Sequence, residues 1–189
     1  MKNNPKKSLI IKAAQKRFAR HGLQKTTIEE IARDLRIGKA SIYNYFISKE
    51  EIFQEVLGLE IDRYIAEVSE IFNNSAANLK EKLLNYISLK EAIKEKYILI
   101  YNLAVGVFRE FQTDPEVEML KSLLKNEEDV LNKFLKSYAK RDLLPDLPSF
   151  LINFTWGLVL TNQFDIIRER YSPSKNSEIL EIFLKDFLL

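Results

Sequence analysis

Between Thr27 and Lys49 the sequence gathers side chains suited to contact with a polyanion. Lys39 can neutralise a phosphate or donate to guanine, Ser41 and Asn44 can hydrogen-bond to backbone oxygens or base edges, and the Ala40 methyl can touch thymine. Tyr43 offers a hydroxyl to phosphate. Thr27 and Lys49 each stand where a helix is expected to begin. The unpaired amides of a helix start form an anion site, reinforced at Lys49 by a full charge. Residues 1–50 carry 12 Lys and Arg against 4 Asp and Glu, a net +8, whereas residues 51–189 carry 17 against 23, a net −6. One end of the chain is built to meet a polyanion and the other is not.

Other chemistries lack their usual actors. With no Cys and a single His, the chain has no disulfide, no thiolate metal site, no cysteine nucleophile and no site built on two imidazoles. His21, just before Gly22 at the end of a helical pattern, reads as a partner for the helix dipole. The run Glu127-Glu128-Asp129 reads as a solvated face, because consecutive carboxylates on a helix point in different directions. There is no P-loop, no G-x-G-x-x-G and no zinc motif, so no catalytic residue, metal or cofactor is expected. No segment approaches the ~20 apolar residues of a membrane span and the N-terminus lacks a leader-type apolar region, so a cytoplasmic protein is expected.

The elements that must position these residues are helices throughout, since five Gly and five Pro leave little punctuation and no stretch alternates as a half-buried strand does. The first helix is expected over about 8–20, with Leu9, Ile10, Ala13, Ala14 and Phe18 on one face and Gly22 just past its end. Thr27-Ile28-Glu29-Glu30 is a capping box opening a second helix that lasts to about Leu35. A third is expected over 39–46, after Arg36-Ile37-Gly38. Ile28, Ile31, Ala32, Leu35, Ile37, Ile42, Tyr45 and Phe46 give these two short helices a small core shared with the first. That packing leaves Lys39, Ala40, Ser41, Tyr43 and Asn44 outward, on the helix that enters the major groove in a helix-turn-helix. Ser48-Lys49-Glu50-Glu51 is a second capping box, opening a long amphipathic helix through Phe72. Further helices are expected over about 77–95, 97–112, 116–141, 148–171 and 175–189, with Pro115, Pro145, Pro148 and Pro173 at the joints.

Thr26-Thr27-Ile28-Glu29-Glu30-Ile31-Ala32, Lys39-Ala40-Ser41-Ile42-Tyr43-Asn44-Tyr45-Phe46 and Ser48-Lys49-Glu50-Glu51-Ile52 together resemble the TetR/AcrR family. The match covers roughly residues 8–57 and is most specific in its Tyr-x-Tyr-Phe-x-Ser-Lys-Glu-Glu portion. The resemblance implies an all-α protein, with a three-helix DNA-binding head at 1–47 and a larger helical bundle at 48–189 for effector binding and dimerisation. It implies a homodimer on double-stranded operator DNA, commonly a repressor, released by a small ligand; control by a protein partner is the alternative. DNA contact then falls on Thr27, Lys39, Ala40, Ser41, Tyr43, Asn44 and Lys49. Three positions depart from the family pattern. Arg36 replaces the turn Gly, so either the turn avoids positive φ or Arg36 bears a strain of ~1 kcal/mol. Gly38 replaces a capping Ser, and Ala40 a frequent Gly.

In the second half, 97–108 is almost wholly apolar and too short to span a membrane, which suggests a helix buried on all sides with Asn102 as a buried amide. Tyr86, Tyr101, Asn102, Phe108, Phe134 and Trp156 could line a pocket for an apolar or aromatic compound, although an aromatic stripe at helical spacing serves equally as plain core. Phe150, Phe154, Gly157, Leu160 and Phe164, with Ile179, Phe183 and Phe187 of the last helix, exceed what a small subunit easily hides. They are read as a two-fold four-helix interface, with burial within the chain as the alternative.

Overall fold

The computed structural model describes residues 4–109, 114–135 and 147–161, and of these all side chains but those of 107–109 and 114. Every regular element among the described residues is a helix: α1 Pro5–Lys25, α2 Ile28–Leu35, α3 Lys39–Tyr43, α4 Lys49–Asn73, α5 Leu79–Glu91, α6 Ile93–Lys96, α7 Ile98–Arg109, α8 Asp114–Leu135 and α9 Leu147–Thr161. The expected helix over 175–189 lies outside the described residues. No helix among the described residues is long and apolar enough to cross a membrane.

The chain divides into two compact units, Met1–Arg63 with Ile98–Ile100, and Tyr64–Tyr97 with Tyr101–Leu189. The first therefore extends beyond the expected boundary at residue 47, because α4 packs its first half there. Phe18 meets Phe53 edge-on at 5.2 Å, Lys7 pairs with Glu55 at 2.6 Å, and Ile52, Val56 and Leu57 are buried.

α1 starts earlier than its apolar pattern suggests, because Asn4 caps it, accepting from the Lys6 amide at 3.1 Å, and Pro5 follows in the first turn, where its missing amide costs nothing. It buries Ile10, Ala13, Ala14 and Phe18 and breaks at Gly22, whose φ of 72° suits a residue without a Cβ. The Thr26 hydroxyl donates to the freed Gly22 carbonyl at 2.8 Å. Arg17 clamps α1 to α2 as a fork: Nε and Nη2 each lie 2.7 Å from an Asp34 oxygen, and Glu30 is 3.5 Å away. The hydrogen bond from Arg17 holds the Asp34 carboxyl below its ordinary range.

At the start of α7 the carboxyl group of Glu60, on α4, does the work of a missing cap. It is 3% exposed and accepts from the amides of Leu99 at 2.7 Å and Ile100 at 3.1 Å. α4 and α7 are thus tied together inside the first unit. In the second unit the expected helix over 77–95 is two helices that turn at Ala92. The first of them begins at an Asn78–Glu81 capping box, with bonds of 3.0 and 2.8 Å. α7 is not buried on all sides. Leu99, Ile100, Leu103 and Ala104 are buried, but Tyr101 is half-buried and Asn102 exposed, so one edge of this apolar helix faces outward.

Candidate functional site

The first unit carries the candidate nucleic-acid face. α2 opens on Thr27, which accepts from the Glu30 amide at 3.3 Å while its own amide donates to the Glu30 carboxylate at 2.9 Å. α2 closes on Arg36 in the left-handed region, φ 55° and ψ 41°, where the Ile37 amide reaches back to the Ala32 carbonyl at 3.0 Å. Of the two conformations open to Arg36, the turn takes the strained one.

α3 is shorter than expected, ending at Tyr43 rather than Phe46. The Tyr45 and Phe46 amides both bond the Ile42 carbonyl, at 2.9 and 3.1 Å, and this turn sends Phe46 inward to 1% exposure. Within α3 only Ile42 is buried. Lys39, Ala40 and Tyr43 are exposed, as is Asn44 at its end, and Ser41 is half-buried. The Lys39 ammonium lies 5.6 Å from the centre of the Tyr43 ring and pairs with Glu29 of α2. Hydrogen bonding between the pair raises the Lys39 pKa and lowers that of Glu29. Glu29 was not singled out by sequence reasoning, because its partner sits ten residues away across the turn. At the start of α4 the Ser48 hydroxyl accepts from the Glu51 amide at 3.1 Å. The Glu51 carboxylate, however, takes the Ile47 amide rather than that of Ser48, so the second capping box is only half formed. Lys49, beside it, is half-buried.

The second unit holds a buried polar cluster that sequence reasoning missed. Glu127 is not part of a solvated face: it is 0% exposed and is the hub of the cluster. It accepts from the hydroxyl of Tyr64, from that of Tyr86 at 2.7 Å and from Trp156 Nε1 at 3.0 Å. Lys90, also buried, places its ammonium 2.7 and 3.0 Å from the two carboxylate oxygens. The same ammonium lies 3.9 Å from the centre of the Trp156 ring, 5.3 Å from that of Tyr64 and 5.5 Å from that of Tyr86. Burial pushes the Lys90 pKa down to about 8 even though Glu127 pulls it up. Burial, reinforced by the Glu127 charge, raises the Tyr64 and Tyr86 hydroxyls well above their ordinary range. Thr155 closes the group 3.5 Å from the Tyr86 hydroxyl. The next two carboxylates pair with Lys125 at 3.5 and 3.0 Å; Asp129 is exposed, while Glu128 is half-buried and also accepts from the Ser149 hydroxyl of α9 at 3.0 Å.

Of the residues expected to line a pocket, Tyr86 and Trp156 meet on Glu127. Phe134 joins them through Phe72, stacked at 6.2 Å on one side and tilted against Tyr86 at 5.7 Å on the other. Tyr101 lies apart, with Lys94 5.7 Å from its ring centre, and Asn102 is exposed rather than buried. The Phe108 side chain lies outside the described residues. Of the expected interface, Phe150 is 43% exposed and stacks on Phe154 at 6.1 Å. Gly157 and Leu160 are half-buried, and among the described residues nothing lies within 4 Å of where a Gly157 Cβ would stand. Phe164, Ile179, Phe183 and Phe187 lie outside the described residues.

Comparison with known proteins places these features in context. A family model described as bacterial regulatory proteins, tetR family, matches residues 10–56. The HTH-type transcriptional repressor KstR2 of Mycobacterium tuberculosis is 27% identical over 161 residues, 81% of this chain and 79% of the relative. The biofilm operon icaADBC HTH-type negative transcriptional regulator IcaR of Staphylococcus aureus is 26% identical over 188 residues, 95% of this chain and 99% of the relative. The crystal structure of a transcriptional regulator from Cytophaga hutchinsonii is similar at a TM-score of 0.75 and 28% identity, covering 98% of this chain and all of that one.

Proposed function

We propose that the chain is a regulator of the TetR type, whose family model matches residues 10–56, and that it is a sequence-specific repressor that binds a two-fold operator as a homodimer and is released by a small apolar or aromatic ligand. The observation that carries the reading is α3, which buries only Ile42 and leaves Lys39, Ala40, Tyr43 and Asn44 outward on the part of the chain with a net +8. Residues 1–47 form the DNA-binding head, joined at the DNA by Lys49 at the start of α4, and residues 48–189 serve effector binding and dimerisation. Ser41, Asn44 and Ala40 address base edges, while Thr27, Lys39, Tyr43 and Lys49 address phosphates. The sign of regulation follows that of KstR2, a transcriptional repressor, and IcaR, a negative transcriptional regulator. The exposed Phe150 supports a two-fold interface on α9.

Release works through α4, which runs unbroken from Lys49 to Asn73. A ligand among the aromatic residues of the second unit shifts the Tyr64–Phe72 half of α4, and the same helix carries that shift to Lys49 behind α3. The Glu60 carboxylate makes the start of α7 follow. Two subunits that splay no longer match recognition sites one DNA turn apart, ~34–36 Å. A ligand favouring the splayed state by ~3 kcal/mol shifts the equilibrium more than about a hundredfold. Selection from random duplex DNA, with light scattering on the free protein, tests the reading. A dimer that enriches a two-fold sequence is expected; a monomer at micromolar concentration, or no enriched sequence, would overturn it.

A further inference from the structure

The cluster around Glu127 has the composition of a cation receptor: one buried carboxylate and three aromatic rings, all of whose polar atoms aim at the same place. What fills it is the chain's own Lys90. We propose that this cluster is a binding site for an organic cation, in which Lys90 is the resting occupant and a quaternary or delocalised ammonium ligand takes its place against Glu127, Tyr64, Tyr86 and Trp156. The proposal deepens the ligand-released reading above, on which its regulatory consequence rests: the apolar or aromatic effector carries a positive charge.

Geometry sets the chemistry. The Lys90 ammonium lies 3.9 Å from the centre of the indole ring and within 5.5 Å of both phenol rings, inside the ~6 Å over which a ring's negative face attracts a cation. Glu127 is held ready by donors that do not depend on Lys90: two hydroxyls and the indole N–H. With Lys90 withdrawn, the carboxylate keeps three hydrogen bonds and lacks only its counter-charge. A primary ammonium is also a poor resident for such a site, because it is compact and strongly hydrated and gives up more water than a methylated or delocalised cation does. Burial lowers the Lys90 pKa by more than the adjacent carboxylate raises it.

Trp156 is the only tryptophan in the sequence, so indole emission reports on this site alone. The test titrates the whole chain, at constant ionic strength, with choline and with 3,3-dimethylbutan-1-ol, which has the same shape and no charge. Choline should shift the emission saturably and bind about tenfold tighter than the alcohol. Lys90→Ala, which empties the site, should tighten choline binding by a further factor of about ten, and choline should raise the melting temperature of that variant. Glu127→Gln should erase the preference for choline. Equal binding of choline and the alcohol would overturn the proposal, as would a folded Lys90→Ala that gains nothing. Should Lys90→Ala fail to fold, Lys90→Met serves in its place, and the charge preference of the unaltered chain decides alone. DNA binding in the same samples without either compound separates the two readings. A chain that prefers choline yet binds no DNA keeps the cation site and loses the repressor; the reverse does the opposite.

Discussion

Lys39 does not wait unpaired for DNA. It pairs with Glu29, and about half of each side chain is exposed, 47% and 54%. To neutralise a phosphate Lys39 must leave that carboxylate or share its charge with it, so Glu29 acts as a weak internal competitor of the operator. Glu29→Gln keeps the size and removes the charge. It should tighten DNA binding a few-fold at low salt and raise the number of phosphates neutralised by about one per subunit. The slope of log K against log salt should then steepen by about 0.9 per subunit, or about 1.8 for a dimer. Between 50 and 200 mM salt the variant should lose about 12-fold more affinity than the parent chain. Fluorescence anisotropy on a labelled duplex at five salt concentrations measures both. Weaker binding, or an unchanged slope, would mean that Glu29 positions Lys39 rather than competing for it, and the reasoning would fail.

Three further outcomes are expected. Lys49→Ala and Tyr43→Phe should weaken binding to specific and unrelated DNA alike, and Lys49→Ala should flatten the salt slope by about 1 per subunit; a changed sequence preference at full nonspecific affinity would contradict this. Arg36→Gly should stabilise the chain by up to about 0.5 kcal/mol in urea, the ~1 kcal/mol relief of a left-handed Cβ less the flexibility added to the unfolded chain, and a loss of about 1 kcal/mol or more would contradict it. The folded Lys90 pKa lies at about 8, below its ordinary 10.5, so the unfolded chain binds more protons between those values and stability rises with pH across that window. Above about pH 10 the suppressed ionisation of Tyr64 and Tyr86 acts the other way. The stability of the parent chain relative to Lys90→Met should therefore rise from pH 8 to 10, and a flat difference would contradict the assignment.

What could be read from the sequence was local. Thr27 and Glu30 stand three residues apart and their reciprocal hydrogen bonds need nothing else, so the start of α2 was legible, as was the outward face of α3 once Ile42 was placed inside. The end of α3 was not, because the burial of Phe46 is decided by the core it enters rather than by helical periodicity. Asn78-Leu79-Lys80-Glu81 carries the same capping signature as Thr27–Glu30 and could have moved the expected start of the next helix from about 77 to Leu79. Glu127 left no such signal. Its neighbour Asp129 is exposed and Glu128 half-buried, while its partners Lys90 and Tyr64 lie 37 and 63 residues away. A buried ion pair between distant helices has no period and no motif. Arg36 was legible as a choice between two conformations, and only the turn itself shows which was taken.

The central claim is that α3 reads DNA bases, and the most direct measurement is the base preference of Asn44→Ala. Once an enriched duplex is in hand, each position is varied and affinities are measured for the parent chain and the variant at one salt concentration. The account requires a loss of discrimination by roughly 5- to 150-fold, about 1–3 kcal/mol, at one base pair in each half-site, related by the two-fold axis, with nonspecific affinity nearly unchanged. An unaltered preference at every position, or a uniform loss across all sequences, would contradict it.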